Sequence, residues 1–483
     1  MNHLTLIGLV LVLLASKCTP TRIPKYFKFG TATSAYQVEG GWNASGKGES
    51  IWDHFTHNYP KGVVDRSNGD IACDTYHKWR EDVQILKGIG VDYHRFSISW
   101  TRILPDGFAR RINPEGVRFY NDFINELVNN NIEPMVTLYH WDLPQTLQDL
   151  GGWTNPDIAI YFEEYAKIVF ELFGDRVKRW ITLNEPLSFC EITYGYGFGA
   201  PHVSSPGIGV YLCGRTALLA HARAYHAYER EFRKTQGGKV GITIDGIWAE
   251  PMTNSTEDIE AAEREIEMTF GWWVNPIFSD TGDYPAVMKQ RVEERSRLEN
   301  YTISRLPEFL ASEIDMIKGS ADFLGLNHYR TWLVGVNESP IDGKPSFQKD
   351  KGTQMHQDPN WKPSPQIVPW GLRKLLNWIK KKYHNPLVYI TENGYLDFSG
   401  TLNDTNRVTF IKVFIDAVMD AVEKDDCNVQ RYTYWSILDD MEWSLGYTAK
   451  FGLYHVDFKS PNRTRTPKIS AEAFKNLIKR RQL

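Results

Sequence analysis

Residues 179–186 read RWITLNEP and residues 386–394 read PLVYITENG. Each is a short run rich in apolar and β-branched side chains that ends abruptly in an amide beside a carboxylate. Short, nearly continuous apolar runs suit strands buried on both faces, as in a parallel sheet. Further runs of this kind lie at Phe27–Gln37, Asp92–Trp100, Glu133–Trp141, Lys239–Trp248, Asp322–Tyr329 and Arg431–Asp440. Between them, apolar residues recur at three and four positions, as on helices, at Glu115–Asn130, Ile158–Phe173, Gly214–Lys234, Trp370–Tyr383 and Asn406–Lys424. Strand and helix alternating eight times specify a parallel sheet closed on itself, a (β/α)8 TIM barrel of the α/β class. An open doubly wound sheet would want a glycine-rich phosphate turn early in the chain. Neither Gly30-Thr31-Ala32 nor Gly40-Gly41-Trp42 forms one.

A length of 483 residues fits one such barrel with extended active-site loops. Residues 330–366 are polar, rich in Pro, Gly, Lys and Asp, and too long for an ordinary connection. They are expected to form an insertion near the mouth.

Barrel enzymes carry their chemistry at the C-terminal ends of the strands, and here those ends are polar and aromatic. In strand order they offer Gln37, Arg95, His140, Asn184 with Glu185, Asn327 with Tyr329, Glu392, and Trp435 leading to Glu442 and Trp443. Any one of these is ordinarily a satisfied strand end. Carboxylates, amides, an imidazole, a phenol and indoles converging on one rim are what a sugar site requires, because hydroxyls need partners and ring faces need aromatic surfaces. Glu185 and Glu392 stand at the ends of strands 4 and 7, three strands apart and therefore across the mouth from each other. Two facing carboxyl groups supply the proton donor and the attacking group of glycoside hydrolysis. Spacing alone leaves retention and inversion open.

On these residues the chain resembles glycoside hydrolase family 1, the β-glucosidases and their relatives, over essentially its whole mature length. Thr182-Leu183-Asn184-Glu185-Pro186 is similar to the family's acid/base motif, Ile390-Thr391-Glu392-Asn393-Gly394 to its nucleophile motif, and residues 27–40 (FKFGTATSAYQVEG) to its N-terminal signature. The resemblance implies a retaining enzyme, with Glu185 as acid/base and Glu392 as nucleophile. It further implies that Gln37, His140, Asn184 and Glu442 bind sugar hydroxyls, that Trp435 forms the stacking floor, and that Trp443 contacts the sugar from the side. Asn327 would support the site, and Tyr329 and Arg95 would hold the nucleophile. The substrate would be a small β-glycoside, with β-D-glucosides first and galactosides or fucosides as further candidates, and no cofactor or metal is implied. The linking segments are similar to animal, insect-like members. The chain departs from the family's usual residues at Asp440-Met441 (more often Asn-Phe), Lys450 (Arg), Leu187 (Trp) and Arg330. Three other readings stay open: a thioglucosidase acting on sulfated glucosides, a non-catalytic sugar-binding homologue, and a transglycosylase. Retention of Glu185 favours O-glycosides, since a thiolate leaves without a proton.

The composition agrees with a large enclosed core, at 42% hydrophobic and 13% aromatic residues. A net charge of −4, with no basic run before the terminal Lys479-Arg480-Arg481, makes nucleic acid an unexpected partner. Leu4–Ser16 is an apolar run too short to span a bilayer and suited to a signal-peptide core, so residues 1–18 read as a leader and 19–483 as one secreted domain. No later segment reads as membrane-spanning. Glycosylation acceptors stand at Asn43, Asn254, Asn300, Asn403 and Asn462, with a poorer one at Asn337. Cys73, Cys190, Cys213 and Cys427 show no metal-ligand spacing and permit at most two disulfides, whose pairing spacing does not fix.

Overall fold

The computed structural model of the protein describes residues 23–481, so the proposed leader lies outside the described residues. Eight parallel strands close into a barrel: β1 (Lys28–Ala32), β2 (Tyr93–Ser97), β3 (Glu133–Tyr139), β4 (Arg179–Asn184), β5 (Lys239–Asp245), β6 (Phe323–Asn327), β7 (Val388–Asn393) and β8 (Val429–Trp435). Each pairs with its neighbours in sequence, and β8 closes on β1 through Lys28–Ala32 against Arg431–Trp435. The helices expected from periodicity are present at Pro114–Asn129, Ile158–Phe173, Gly209–Ala227, Pro369–Lys382 and Thr405–Glu423.

The barrel interior is packed. Tyr93, Met135, Ile181, Phe323 and Tyr389 form a buried layer toward its floor. Glycines make room for these rings: a methyl group on Gly30 would lie 2.3 Å from the Tyr93 ring. Below them the Arg431 guanidinium lies 5.0 Å from the Tyr93 ring and 5.1 Å from the Tyr389 ring while pairing with Glu133 at 2.9 Å.

The strands are shorter than their apolar runs. Thr33 onward leaves the sheet, and Gln37 sits on a helical turn, Ala35–Val38. Trp100 likewise opens a helix, Trp100–Ile103, and Trp248 belongs to another sheet. Backbone at the mouth must turn outward into loops, while its side chains remain buried against the rim, so the apolar pattern outruns the hydrogen-bonded ladder. Shifts of register between Ile181 and Asn184 and between Ile390 and Glu392 re-aim the side chains that follow.

The segment 330–366 is an ordered insertion. Thr331–Val336 pairs in parallel with Trp248–Pro251 and antiparallel with Thr353–His356. Buried ion pairs Arg305–Asp350 (2.6 Å) and Lys351–Glu265 (2.7 Å) anchor it. Cys190 and Cys213 form a disulfide that ties the segment after β4 to the helix Gly209–Ala227, and Cys73 and Cys427 are buried free thiols. No helix among the described residues is long and apolar enough to cross a membrane.

Candidate active site

A cleft of about 290 Å³ opens at the C-terminal ends of the strands. Nine of the eleven residues expected there line it: Glu185, Glu392, His140, Asn184, Asn327, Tyr329, Trp435, Glu442 and Trp443. Gln37 and Arg95 stand directly behind it, each bonded to a lining carboxylate.

Glu392, at the end of β7, is 4% exposed. One oxygen accepts from Arg95 Nη1, and the other accepts from the Tyr329 hydroxyl at 2.8 Å. Arg95 is itself fixed on β2, donating to Thr137 Oγ1 (3.1 Å), the Thr391 carbonyl (3.0 Å) and Asn184 Oδ1 (2.6 Å). The guanidinium thus neutralises Glu392 and also positions the residue preceding Glu185.

Glu185 follows β4 with φ near +50°, a left-handed conformation that costs a side-chain-bearing residue on the order of 1–3 kcal/mol. Trp141 (φ 77°) and Trp443 (φ 48°) share it, so three residues lining the cleft are held in a sparsely populated backbone region. Glu185 Oε1 accepts from Asn327 Nδ2 at 2.7 Å. Burial, then the charge of Asp245, then that of Glu392 hold the Glu185 carboxyl well above the usual carboxylate range. A carboxyl group so raised favours its protonated form, from which it can donate a proton.

The amides are oriented by their neighbours. Asn184 Oδ1 accepts from Arg95 and Asn327, so its Nδ2 faces His140 Nε2 at 3.0 Å. His140 is kept neutral, first by burial and then by Arg95. With Nε2 accepting, the ring proton resides on Nδ1, which has no partner among the described residues. The His140 ring lies 5.7 Å from Trp435 and 5.9 Å from Trp443, both stacked, and Trp141 stacks on Trp443 at 4.6 Å. One unsatisfied donor set among indole faces is suited to a hydroxylated ring. At the far end, Ser34 Oγ donates to Gln37 Oε1 (2.6 Å), which turns Gln37 Nε2 toward Glu442 Oε2 at 3.1 Å.

Asp245 was not expected from the sequence. It ends β5, accepts from Ser188 Oγ at 3.1 Å and lines the cleft beside Glu185. The apolar run Lys239–Trp248 carries past it, which hid it within a strand; the Asp245-Gly246 step was the available signal. Burial pushes its carboxyl up to about 7. Asp245→Asn removes a negative charge that keeps Glu185 protonated, so the alkaline limb of the kcat/KM pH profile is expected to move to lower pH. A limb that stays in place would show that Glu185 does not feel Asp245.

Fold and site together define a glycoside hydrolase: a barrel whose mouth sets two carboxyl groups in differing surroundings within a cleft of sugar-sized volume. The family model for glycosyl hydrolase family 1 matches residues 19–483, and the chain belongs to that family. It is 48% identical to Myrosinase 1 of Brevicoryne brassicae, covering 95% of this chain and 98% of that protein. It is 43% identical to the human cytosolic beta-glucosidase, covering 94% and 98%. Among solved structures, aphid myrosinase superposes with a TM-score of 0.91 at 47% identity, over 95% of this chain and 99% of that one. A rice beta-glucosidase superposes with a TM-score of 0.89 at 40% identity, over 94% and 98%. The protein is a β-glucosidase-like glycoside hydrolase acting on a small-molecule glycoside.

Proposed function

We propose that this chain hydrolyses β-D-glucosides with retention, Glu392 attacking the anomeric carbon while Glu185 protonates the departing oxygen. The observation that carries this reading is the unequal treatment of the two carboxyl groups. Arg95 and Tyr329 hold Glu392 ready as a nucleophile, and burial beside Asp245 and Glu392 keeps Glu185 an acid. Esterification of Glu392 removes its charge, so Glu185 then ionises more readily and takes a proton from the attacking water. A covalent complex with Glc is described for the rice relative. In this reading His140, Asn184, Gln37 and Glu442 bind the sugar hydroxyls, Trp435 floors the ring, Trp443 flanks it, and Asn327 positions Glu185.

The test is hydrolysis of aryl β-glucoside, β-galactoside and β-fucoside by the parent and by Glu442→Ala. The parent is expected to hydrolyse the glucoside. Losing a buried polar partner costs about 1–3 kcal/mol, so the variant should lose about tenfold or more on substrates that use Glu442 and less on those lacking the matching hydroxyl. Equal losses on all three sugars would make Glu442 structural and overturn the assignment of the sugar end.

A second reading is supported by one feature. Arg330, half-buried on the cleft wall, has no carboxylate or hydrogen-bond partner among the described residues, and its burial lowers its pKa. A free guanidinium there suits an anionic leaving group, and the likeness to Myrosinase 1 gives the S-glucoside alternative a basis. Glu191, six residues past Glu185, has the sign opposite to that needed for such a group, and retention of Glu185 keeps O-glucosides first.

Secretion is part of the proposal. The leader-like run at residues 4–16, the Cys190–Cys213 disulfide and the exposure of all six acceptor asparagines, Asn43, Asn254, Asn300, Asn337, Asn403 and Asn462, support it.

A further inference from the structure

A second acid lies behind the sugar end of the cleft. Asp440 is 1% exposed, and its Oδ1 accepts from the same Gln37 Nε2 (3.4 Å) that donates to Glu442 (3.1 Å). Its Oδ2 is buried with no partner, and no cation pairs with Asp440 or Glu442 among the described residues. The adjacent Asp439 takes the neighbouring lysine, Lys468 at 2.7 Å, and also meets the His455 ring at 3.3 Å. The Lys450 ammonium acts on Asp440 only from a distance and donates to the Tyr447 carbonyl at 2.6 Å. The remaining titratable groups around the pair are the Cys73 thiol and Tyr447 phenol on the Asp440 side, and Glu392, Glu185 and the Tyr329 phenol on the Glu442 side.

A fully buried carboxyl group and a half-buried one that share the Gln37 amide, with only the Ser436 hydroxyl as a further donor to Asp440, cannot both be ionised without a desolvation and repulsion penalty. We propose that Asp440 and Glu442 hold a single proton between them across neutral pH, and that this proton sets the affinity of the cleft for its sugar. The inference rests on the reading that Glu442 binds sugar hydroxyls. Burial first, and the charge of Asp439 second, push the Asp440 carboxyl up to about 8. Burial and Asp440 likewise raise Glu442. With the proton in place, Glu442 accepts from Gln37 and from the sugar. When the proton passes to solvent, a second negative charge draws on the same Gln37 amide, and the hydrogen-bond pattern that meets the sugar is lost. Asp440 is therefore a positioning residue, acting through Gln37 and Glu442.

Asp440→Asn keeps the shape of the protonated acid and removes its titration. The KM for an aryl β-glucoside and the inhibition constant of glucose should be measured from about pH 6 to about pH 9.5. In the parent both are expected to rise above about pH 8, toward tenfold per pH unit, the limiting slope for one proton. In the variant both should stay flat, with kcat moving far less than KM. Thermal unfolding supplies a readout independent of the sugar. A carboxyl whose folded pKa is raised costs nothing below its unfolded value near 4, and its cost grows until the pH passes the folded value near 8. The Asn variant should therefore exceed the parent in Tm by a margin that widens across that window and then levels. A margin independent of pH overturns the shared proton. A parent KM that is flat through pH 8, in an enzyme that hydrolyses glucosides, overturns its role in sugar affinity. A chain that hydrolyses no glucoside overturns the underlying functional reading, while the unfolding margin still reports the proton by itself.

Discussion

Glu185→Ala is expected to separate substrates by leaving group. An alkyl alcohol or a second sugar departs poorly without a proton, so its hydrolysis should fall by about 10²–10⁴-fold, the usual contribution of positioned proton transfer. A dinitrophenolate needs little help, so its first step should survive. The second step should still slow, because no base remains to activate water, and glycosyl-enzyme should accumulate after a burst of phenol release. Azide attacks without a base and should relieve the block, giving β-glycosyl azide. Equal loss of alkyl and dinitrophenyl glucoside hydrolysis, with no azide product, would remove Glu185 from the acid/base role. The loss should also leave Asn327 Nδ2, which donates to Glu185, without that partner, so a melting curve of the variant should accompany the kinetics.

Glu392→Gln is expected to be the more damaging change, because no leaving group compensates for a missing nucleophile. Losses of roughly 10⁴–10⁶-fold on alkyl and dinitrophenyl glucosides alike follow from removing the group on which both chemical steps run. The amide is preferred to alanine as the test. Glu392 is 4% exposed beside Arg95 at 1%, and stripping one partner from a buried pair costs about 3–5 kcal/mol of stability. Three other acceptors hold Arg95, namely Thr137, Asn184 and the Thr391 carbonyl, which should limit that cost and keep the cleft assembled. A variant that folds and retains dinitrophenyl glucoside hydrolysis within about tenfold, a difference of only 1.4 kcal/mol in the barrier, would contradict the nucleophile assignment.

The barrel was legible because its strands are buried on both faces, so runs such as RWITLNEP and PLVYITENG advertise themselves as apolar stretches with polar ends. Strand ends were not. Gln37 and Trp100 continue an apolar pattern after the backbone has left the sheet for helical turns, since rim side chains stay buried where ladder hydrogen bonds stop. Residues placed at the cleft by strand-end position came together there, including Glu442, which lies seven positions beyond the end of β8. Asp245 escaped because its run appeared to extend to Trp248, when the sheet partner of Trp248 is Thr331 in the insertion. Asp440 was visible as a departure from the family's usual residue, but its sharing of Gln37 with Glu442 depends on a contact across 403 positions that no local pattern encodes. The same holds for the Cys190–Cys213 bond, which four unpaired cysteines in a sequence leave undetermined.

The central claim is a covalent bond between the sugar and Glu392. A 2-deoxy-2-fluoro-β-glucoside with a dinitrophenolate leaving group slows both steps through the electronegative fluorine and speeds the first through its leaving group, so the intermediate should persist. The account predicts time-dependent inactivation, a mass gain of one fluoroglucosyl group per chain, and its location on the peptide containing Ile390-Thr391-Glu392-Asn393-Gly394. An adduct on another residue, or steady turnover of glucosides to α-glucose as the first product with no adduct at all, would contradict it.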